Sequence, residues 1–173
     1  EGKVVGFLEP IALYMTKDLH EPKDGGWLFD YPVPTRSVPL GEPRLYAPDA
    51  ADALIVTYGN GVLMALRAAR RLQEEGGHRV CVMDLRWLKP LNATAIAAEA
   101  NRCGRVLVVD EGRRTGGIAE EIFTALDEHA DPSVRKLRVT GADSYIPLAG
   151  AAHLVLPSDE DVLEAGRALL ADG

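Results

Sequence analysis

The stretch Ala53-Leu54-Ile55-Val56-Thr57-Tyr58-Gly59-Asn60-Gly61-Val62-Leu63-Met64-Ala65-Leu66 changes period partway along. Its first six residues form a continuous apolar run, the pattern of a strand buried on both faces. Gly59 and Gly61 then turn the chain, and Val62, Leu66, Ala69 and Leu72 recur at helical spacing until Gly76-Gly77 ends the pattern. One strand-then-helix unit is complete, and the same alternation continues downstream.

Residues 79–84 (Arg-Val-Cys-Val-Met-Asp) read as a second strand, and Asn92 as the N-cap of an alanine-rich helix that runs to about Cys103 and Gly104. Residues 105–110 (Arg-Val-Leu-Val-Val-Asp) read as a third strand. The turn Thr115-Gly116-Gly117 then leads into a helix from Ile118 to His129, with Glu120 and Glu121 near the positive end of its dipole. Residues 136–140 give a fourth strand. Leu154-Val155-Leu156-Pro157 precedes Ser158-Asp159-Glu160-Asp161, a Ser-x-x-Asp variant of the capping box ahead of a last helix through Leu169. Apolar strands alternating with amphipathic helices predict an α/β fold: an open, mostly parallel sheet in a three-layer α/β/α sandwich.

Upstream the composition changes. Residues 18–43 interleave Pro22, Pro32, Pro34, Pro39 and Pro43 with Gly25, Gly26, Gly41 and charged residues, which is linker chemistry. Alternation of Trp27, Phe29 and Tyr31 predicts that one side of this linker lies on apolar surface. Residues 3–15 read as the last strand and exit of a preceding domain, a strand with no sheet of its own here. The expected organisation is the end of a truncated domain over 1–17, a linker over 18–43 and a complete domain over 44–173. The chain has no initiator methionine and enters at once into strand-like sequence, so a piece of a longer protein is expected.

Composition excludes several classes. The 173 residues are 47% hydrophobic and 26% charged, with a net charge of −7. That is globular composition, and its acidic field argues against nucleic-acid binding. No apolar run approaches the ~20 residues that cross a bilayer, and the start lacks the pattern of a signal peptide, so a cytoplasmic protein with no membrane partner is expected. Cys81 and Cys103 match no metal or redox spacing and read as buried structural thiols. His20, His78, His129 and His153 are scattered, which gives a zinc site little support.

Ligands of open α/β sheets favour the carboxyl ends of the strands. There the sequence places Gly59-Asn60-Gly61, Asp84-Leu85-Arg86, residues 110–117 and Gly141-Ala142-Asp143. Gly59-x-Gly61 invites a dinucleotide reading, but Met64 stands where the third glycine belongs. Asp110 with Glu111 reads as an acid/base pair and Arg113 with Arg114 as an anion clamp, or else the four read as charges that neutralise one another at a domain or subunit surface. Asp84 and Arg86 carry the same two readings. No Ser-His-Asp, Cys-His or HExxH arrangement appears, so no active site is expected in this domain.

Taken in order, Phe7-Leu8-Glu9-Pro10-Ile11-Ala12-Leu13-Tyr14, Val38-Pro39-Leu40-Gly41, Val56-Thr57-Tyr58-Gly59, Asp84-Leu85-Arg86-Trp87-Leu88-Lys89-Pro90-Leu91, Val108-Val109-Asp110-Glu111-Gly112 and Arg138-Val139-Thr140-Gly141-Ala142-Asp143 resemble the beta part of the thiamine-diphosphate-dependent decarboxylase component of 2-oxo acid dehydrogenase complexes. The resemblance covers nearly the whole chain. It implies the end of a pyrimidine-binding domain, then a transketolase C-terminal domain, in an oxidoreductase that acts on an oxo group with a disulfide acceptor. It further implies thiamine diphosphate and magnesium in the full-length enzyme, held by a Gly-Asp-Gly motif and a glutamate that lie outside this chain. Lys23-Asp24-Gly25-Gly26 and Glu9 do not match those elements, so no cofactor is expected on this portion, which by itself is expected to be inactive.

The implied partners are a second copy or an alpha chain, and the lipoyl-bearing acyltransferase component. Asp84, Arg86, Asp110, Glu111, Arg113, Arg114, Gly116 and Gly117 are the interface candidates. Asn92 stands where that family usually has aspartate, and the linker is longer than in the usual pyruvate enzyme, so the sequence does not name the 2-oxo acid. Two alternatives stay open: a transketolase or deoxyxylulose-phosphate synthase C-terminal domain, and a free-standing interaction module.

Overall fold

The computed structural model describes residue 2 and residues 4–171. Five strands and four helices follow one another as β1 (Arg44–Tyr46), β2 (Ala53–Thr57), α1 (Asn60–Gly76), β3 (Val80–Asp84), α2 (Ala93–Cys103), β4 (Arg105–Arg113), α3 (Ile118–His129), β5 (Arg135–Gly141) and α4 (Asp159–Ala171). Short 3-10 turns lie at Ile11–Leu13 and Ala149–Leu154.

The sheet order is β1-β3-β2-β4-β5, with β1 antiparallel to β3 and every other pairing parallel. Alternation along the strands divides the core. Leu54, Val56, Cys81, Met83, Val106 and Val108 face Ile96, Ala100, Ile122 and Leu126 of α2 and α3. Ala53, Ile55, Val80, Val82, Leu107 and Val109 face Met64, Ala65, Ala68, Leu72 and the α4 residues Val162, Leu163 and Leu169. Both faces of the sheet are thus covered by helices, the three-layer α/β/α arrangement anticipated from the run-and-period pattern.

Local chemistry sets the helix ends. Asn92 accepts the Ala95 amide at 3.0 Å as N-cap of α2, and Gly104 in left-handed conformation closes that helix. Ser158 and Asp161 cap α4 reciprocally, the Asp161 amide donating to Ser158 Oγ at 3.2 Å and the Ser158 amide to Asp161 Oδ2 at 2.8 Å. On the outer surface Arg67 pairs with Asp159 at 3.0 Å and Arg71 with Glu160 at 2.7 Å, which sets α1 against α4.

Three sequence expectations change. The edge strand β1 lies just after the anticipated linker, too short at three residues to show a period. Among the described residues, 4–10 form no strand, and Ile11–Leu13 is a turn; the Lys3 end of that anticipated strand lies outside the described residues. Third, the alternating aromatics do not share one buried side. Trp27 is partly buried edge-on against Phe29, while Tyr31 is fully exposed.

Part of the linker is a built loop. Asp24 accepts the amides of Leu19, His20, Glu21 and Gly26 at 2.7–2.9 Å, and Asp18 accepts those of Lys23 and Gly25. Arg67 Nε of α1 donates to the Leu19 carbonyl at 2.6 Å and fastens this loop to the domain.

Candidate functional site

Strand order reverses between β2 and β4, so the crevice at their carboxyl ends is the topological switch point of the sheet. Tyr58 to Gly61 arrive there from β2, and residues 110–117 from β4. Close approach of α1 to the sheet demands glycine at 61. A Cβ at that position would stand 2.0 Å from Thr57 Oγ1, which itself donates to the Val109 carbonyl at 2.9 Å and ties β2 to β4.

Asp110 is only 1% exposed. Its Oδ1 accepts the Tyr58 hydroxyl at 2.6 Å and the Gly112 amide at 2.7 Å, and its Oδ2 accepts the Ala119 amide at 2.9 Å. The last contact answers a local need. The N-cap of α3 is Gly117, which has no side chain to offer the first turn, and Asp110 supplies both the acceptor and a negative charge at the positive helix end. Space for the carboxylate comes from two glycines: a Cβ on Gly112 or Gly117 would stand 2.9 or 2.8 Å from its oxygens. Burial, and then donation to Asp110, pushes the Tyr58 phenol well above its usual range.

Glu111 turns away from this arrangement. Its carboxylate is partly buried and takes a hydrogen bond from the Asn60 side chain. Burial, together with the charge of Asp110, raises its pKa against that bond. The Oδ1 of Asn60 is buried and has no donor. Turning the amide over would set that oxygen against the Glu111 carboxylate, so the deficit belongs to the geometry.

Arg113 and Arg114 do not neutralise these acids. Both are exposed, and among the described residues neither has a carboxylate within salt-bridge distance. Thr115 ties their loop to the one after β5, its amide and hydroxyl donating to Asp143 at 2.8 and 2.7 Å, and these bonds lower the Asp143 pKa. Gly116 takes a left-handed turn and donates its amide to Glu120 at 2.9 Å. At the end of β3, Asp84 accepts the backbone amide of Arg86 at 3.1 Å, and burial raises its pKa.

The eight candidates therefore gather at the carboxyl end of the sheet in different roles. Asp110 and Gly117 are internal to the loop, whereas Glu111, Arg113 and Arg114 border solvent. Sequence reasoning missed Tyr58 as the partner of Asp110, 52 residues away. The available signal was Gly117 at a helix start, which requires an acceptor from elsewhere. It also missed Tyr145, Ile146, Leu148 and Leu154, which stand exposed on the segment after β5.

Open clefts flank the fold among the described residues. One of about 470 Å³ lies among His20, Tyr46, Arg70 and Arg79, and one of about 750 Å³ among Arg114, Arg138, Asp143 and Glu164. Neither gathers a nucleophile with a base. Among the described residues, the two that come nearest to the motifs for a magnesium diphosphate and its aminopyrimidine, Asp24 and Glu9, do not fit those roles. The Asp24 carboxylate of the nearest Gly-Asp-Gly-like string is spent on four backbone amides, which hold its pKa far below the usual carboxylate range. Glu9 is an exposed acceptor for the Tyr14 hydroxyl.

Comparison with known proteins follows the same lines. The family profile "Transketolase, C-terminal domain" matches residues 45–162. The chain is 35% identical over 168 residues to the pyruvate dehydrogenase E1 component subunit beta of Bacillus subtilis, covering 96% of this chain and 48% of that one. It is 33% identical over 121 residues to the Staphylococcus aureus protein of the same name, covering 69% and 37%. The chain thus spans about half, or less, of the curated relatives it matches. A solved structure described as a split-gene transketolase, inactive beta4 tetramer, aligns over 83% of this chain and 46% of its own with a TM-score of 0.68 at 22% identity, which speaks to fold alone. By architecture and family match together, this chain belongs to the transketolase C-terminal domain family.

Proposed function

We propose that this chain is the C-terminal portion of a thiamine-diphosphate-dependent 2-oxo acid dehydrogenase, in which it serves assembly and partner docking while other domains carry the chemistry. The observation that carries this reading is the 35% identity to a pyruvate dehydrogenase beta subunit over nearly the whole chain. The site supports it. The enclosed Asp110 carboxylate at the switch point accepts three hydrogen bonds that hold loops, so it is not free to act as a general base. Thiamine diphosphate and its magnesium are then held by segments outside this chain, where they supply the carbanion chemistry of decarboxylation.

In this reading the carboxyl-end loops, with Glu111, Arg113, Arg114 and the exposed Tyr145 to Leu148 segment, meet a second copy or an alpha chain. The acyltransferase component docks on the same domain, and the protein works in the cytoplasm. The test is an assay of the complete protein that carries this sequence, for reduction of an artificial electron acceptor dependent on a 2-oxo acid. Activity with pyruvate or a branched-chain 2-oxo acid supports the assignment, and ketol transfer between sugar phosphates without it would replace it with a transketolase.

A further inference from the structure

On one face of the sheet the helices α1 and α4 cover β2 to β5, and the edge strand β1 projects past them. The cleft of about 470 Å³ opens there, between Tyr46 of β1 and Leu66 and Ala69 of α1, over Val80 and Val82 of β3. Its volume falls among small-molecule sites, which run to roughly 300–1,000 Å³. It lies toward the amino ends of the strands, away from the Asp110 crevice. His20 closes one side, carried by the loop that Arg67 fastens to α1.

The floor is apolar and the rim carries two guanidiniums. Arg79 spends Nη2 on the neutral Asp49 carbonyl at 3.1 Å, which leaves the rest of its fork of donors. Arg70 pairs with Glu74 through Nε at 2.6 Å, an exposed pair on one helix that holds its guanidinium only weakly. Burial, then Arg70, lower the His20 pKa, and Arg67 adds to them against Asp24 and Glu74. Each guanidinium there acts more strongly than the carboxylate that opposes it, so the field at this rim is positive. Asp49 lines the same rim and opposes a second negative charge, which favours a mono-anion over a phosphate ester. We propose that this cleft binds a small aromatic carboxylate, its ring lying on Ala69, Val80 and Val82 and its carboxylate held between Arg70 and Arg79. Apolar burial supplies the affinity, and the planar match of guanidinium to carboxylate selects the head group. The site is independent of the dehydrogenase assignment.

The test is a two-dimensional proton–nitrogen NMR titration of the chain with naphthalene-2-carboxylate, its neutral isostere naphthalene-2-carboxamide, and acetate. The carboxylate should give saturable shifts at the amides of residues 46–50, 66–73 and 79–82, with a dissociation constant of about 1 mM or tighter for a ligand of this size. The carboxamide should bind at least about five-fold more weakly, and acetate more weakly still, because each lacks one half of the recognition. Arg70→Gln with Arg79→Gln should bring the carboxylate down to the affinity of the carboxamide and leave the carboxamide unchanged. Ala69→Phe, which fills the cleft from α1, should abolish binding of both aromatic probes. Circular dichroism melts confirm that each variant folds, and Arg70→Gln alone replaces the double variant if that one does not. Shifts confined to the carboxyl-end loops, equal affinity for carboxylate and carboxamide, or no saturation by about 10 mM overturns the proposal.

Discussion

Replacing Asp110 with alanine should cost far more than its place in a charged surface string suggests. The substitution strands the Tyr58 hydroxyl and the Gly112 and Ala119 amides, which now donate to it at 2.6–2.9 Å. Hydrogen bonds to a charged acceptor are worth about 1.5–3 kcal/mol each, so the gross loss is roughly 5–9 kcal/mol. Relief from burying a carboxylate, itself several kcal/mol, offsets much of that, and the partly exposed Tyr58 can turn to water. A net loss of about 3 kcal/mol remains, of which about 1 kcal/mol is the missing cap on α3. For a domain of this size that is roughly 6–12 °C in Tm. Asp110→Asn keeps one oxygen but sets an amino group against an N–H, and should cost about half as much. Urea titration followed by circular dichroism reads both. An Asp110→Ala variant within about 1 kcal/mol of the parent would refute the claim that this carboxylate holds the crevice together.

The remaining predictions are quicker to state. Gly61→Ala should destabilise the chain by about 1–3 kcal/mol in the same titration, because its methyl group meets Thr57 Oγ1 and α1 must shift off the sheet. Burial first, then Asp110, raises the Glu111 pKa, so the folded state holds that proton more tightly than the unfolded state does. Glu111 therefore costs stability above its folded pKa, and the cost fades as pH falls toward the ordinary glutamate range. Glu111→Gln should accordingly match or exceed the parent in melting temperature at neutral pH, and lose that relative gain in acid. The Cys81 thiol, pushed up to about 11 by burial, should react with a thiol reagent at mildly alkaline pH only as fast as the chain unfolds. Asn92→Ala removes the cap on α2 and the bond to the Gly41 carbonyl, at a cost of about 1 kcal/mol or more by urea titration.

Much of the framework is legible because its signals are local. The run from Ala53 to Thr57 and the spacing from Val62 to Leu72 each fix an element within one window, and Gly77 and Gly104 mark helix ends by a conformation that favours glycine. The parts that escape are non-local. Strand β1 exists because Arg44, Leu45 and Tyr46 find an open edge of β3, about 40 residues away in sequence and antiparallel, and nothing in three residues announces that. Asp110 and Glu111 look equivalent in the string Asp-Glu-Gly-Arg-Arg, yet one is enclosed and the other borders solvent, because Tyr58 and Ala119 approach only one of them. The linker is similar: nothing in the sequence sets Asp18 and Asp24 apart from its other charged residues, whereas they accept backbone amides within the loop that Arg67 fastens to α1. The candidate residues are legible by position at the strand ends, but their hydrogen-bond partners are not displayed by sequence order.

The central claim is that this chain carries structure and contacts but not the cofactor. The most direct measurement is isothermal titration calorimetry of the purified chain with thiamine diphosphate and magnesium. The account predicts no saturable heat, since Asp24 is committed to four amides and Asp110 to its own loops. Saturable binding in the micromolar range would contradict it and place a cofactor site on these residues.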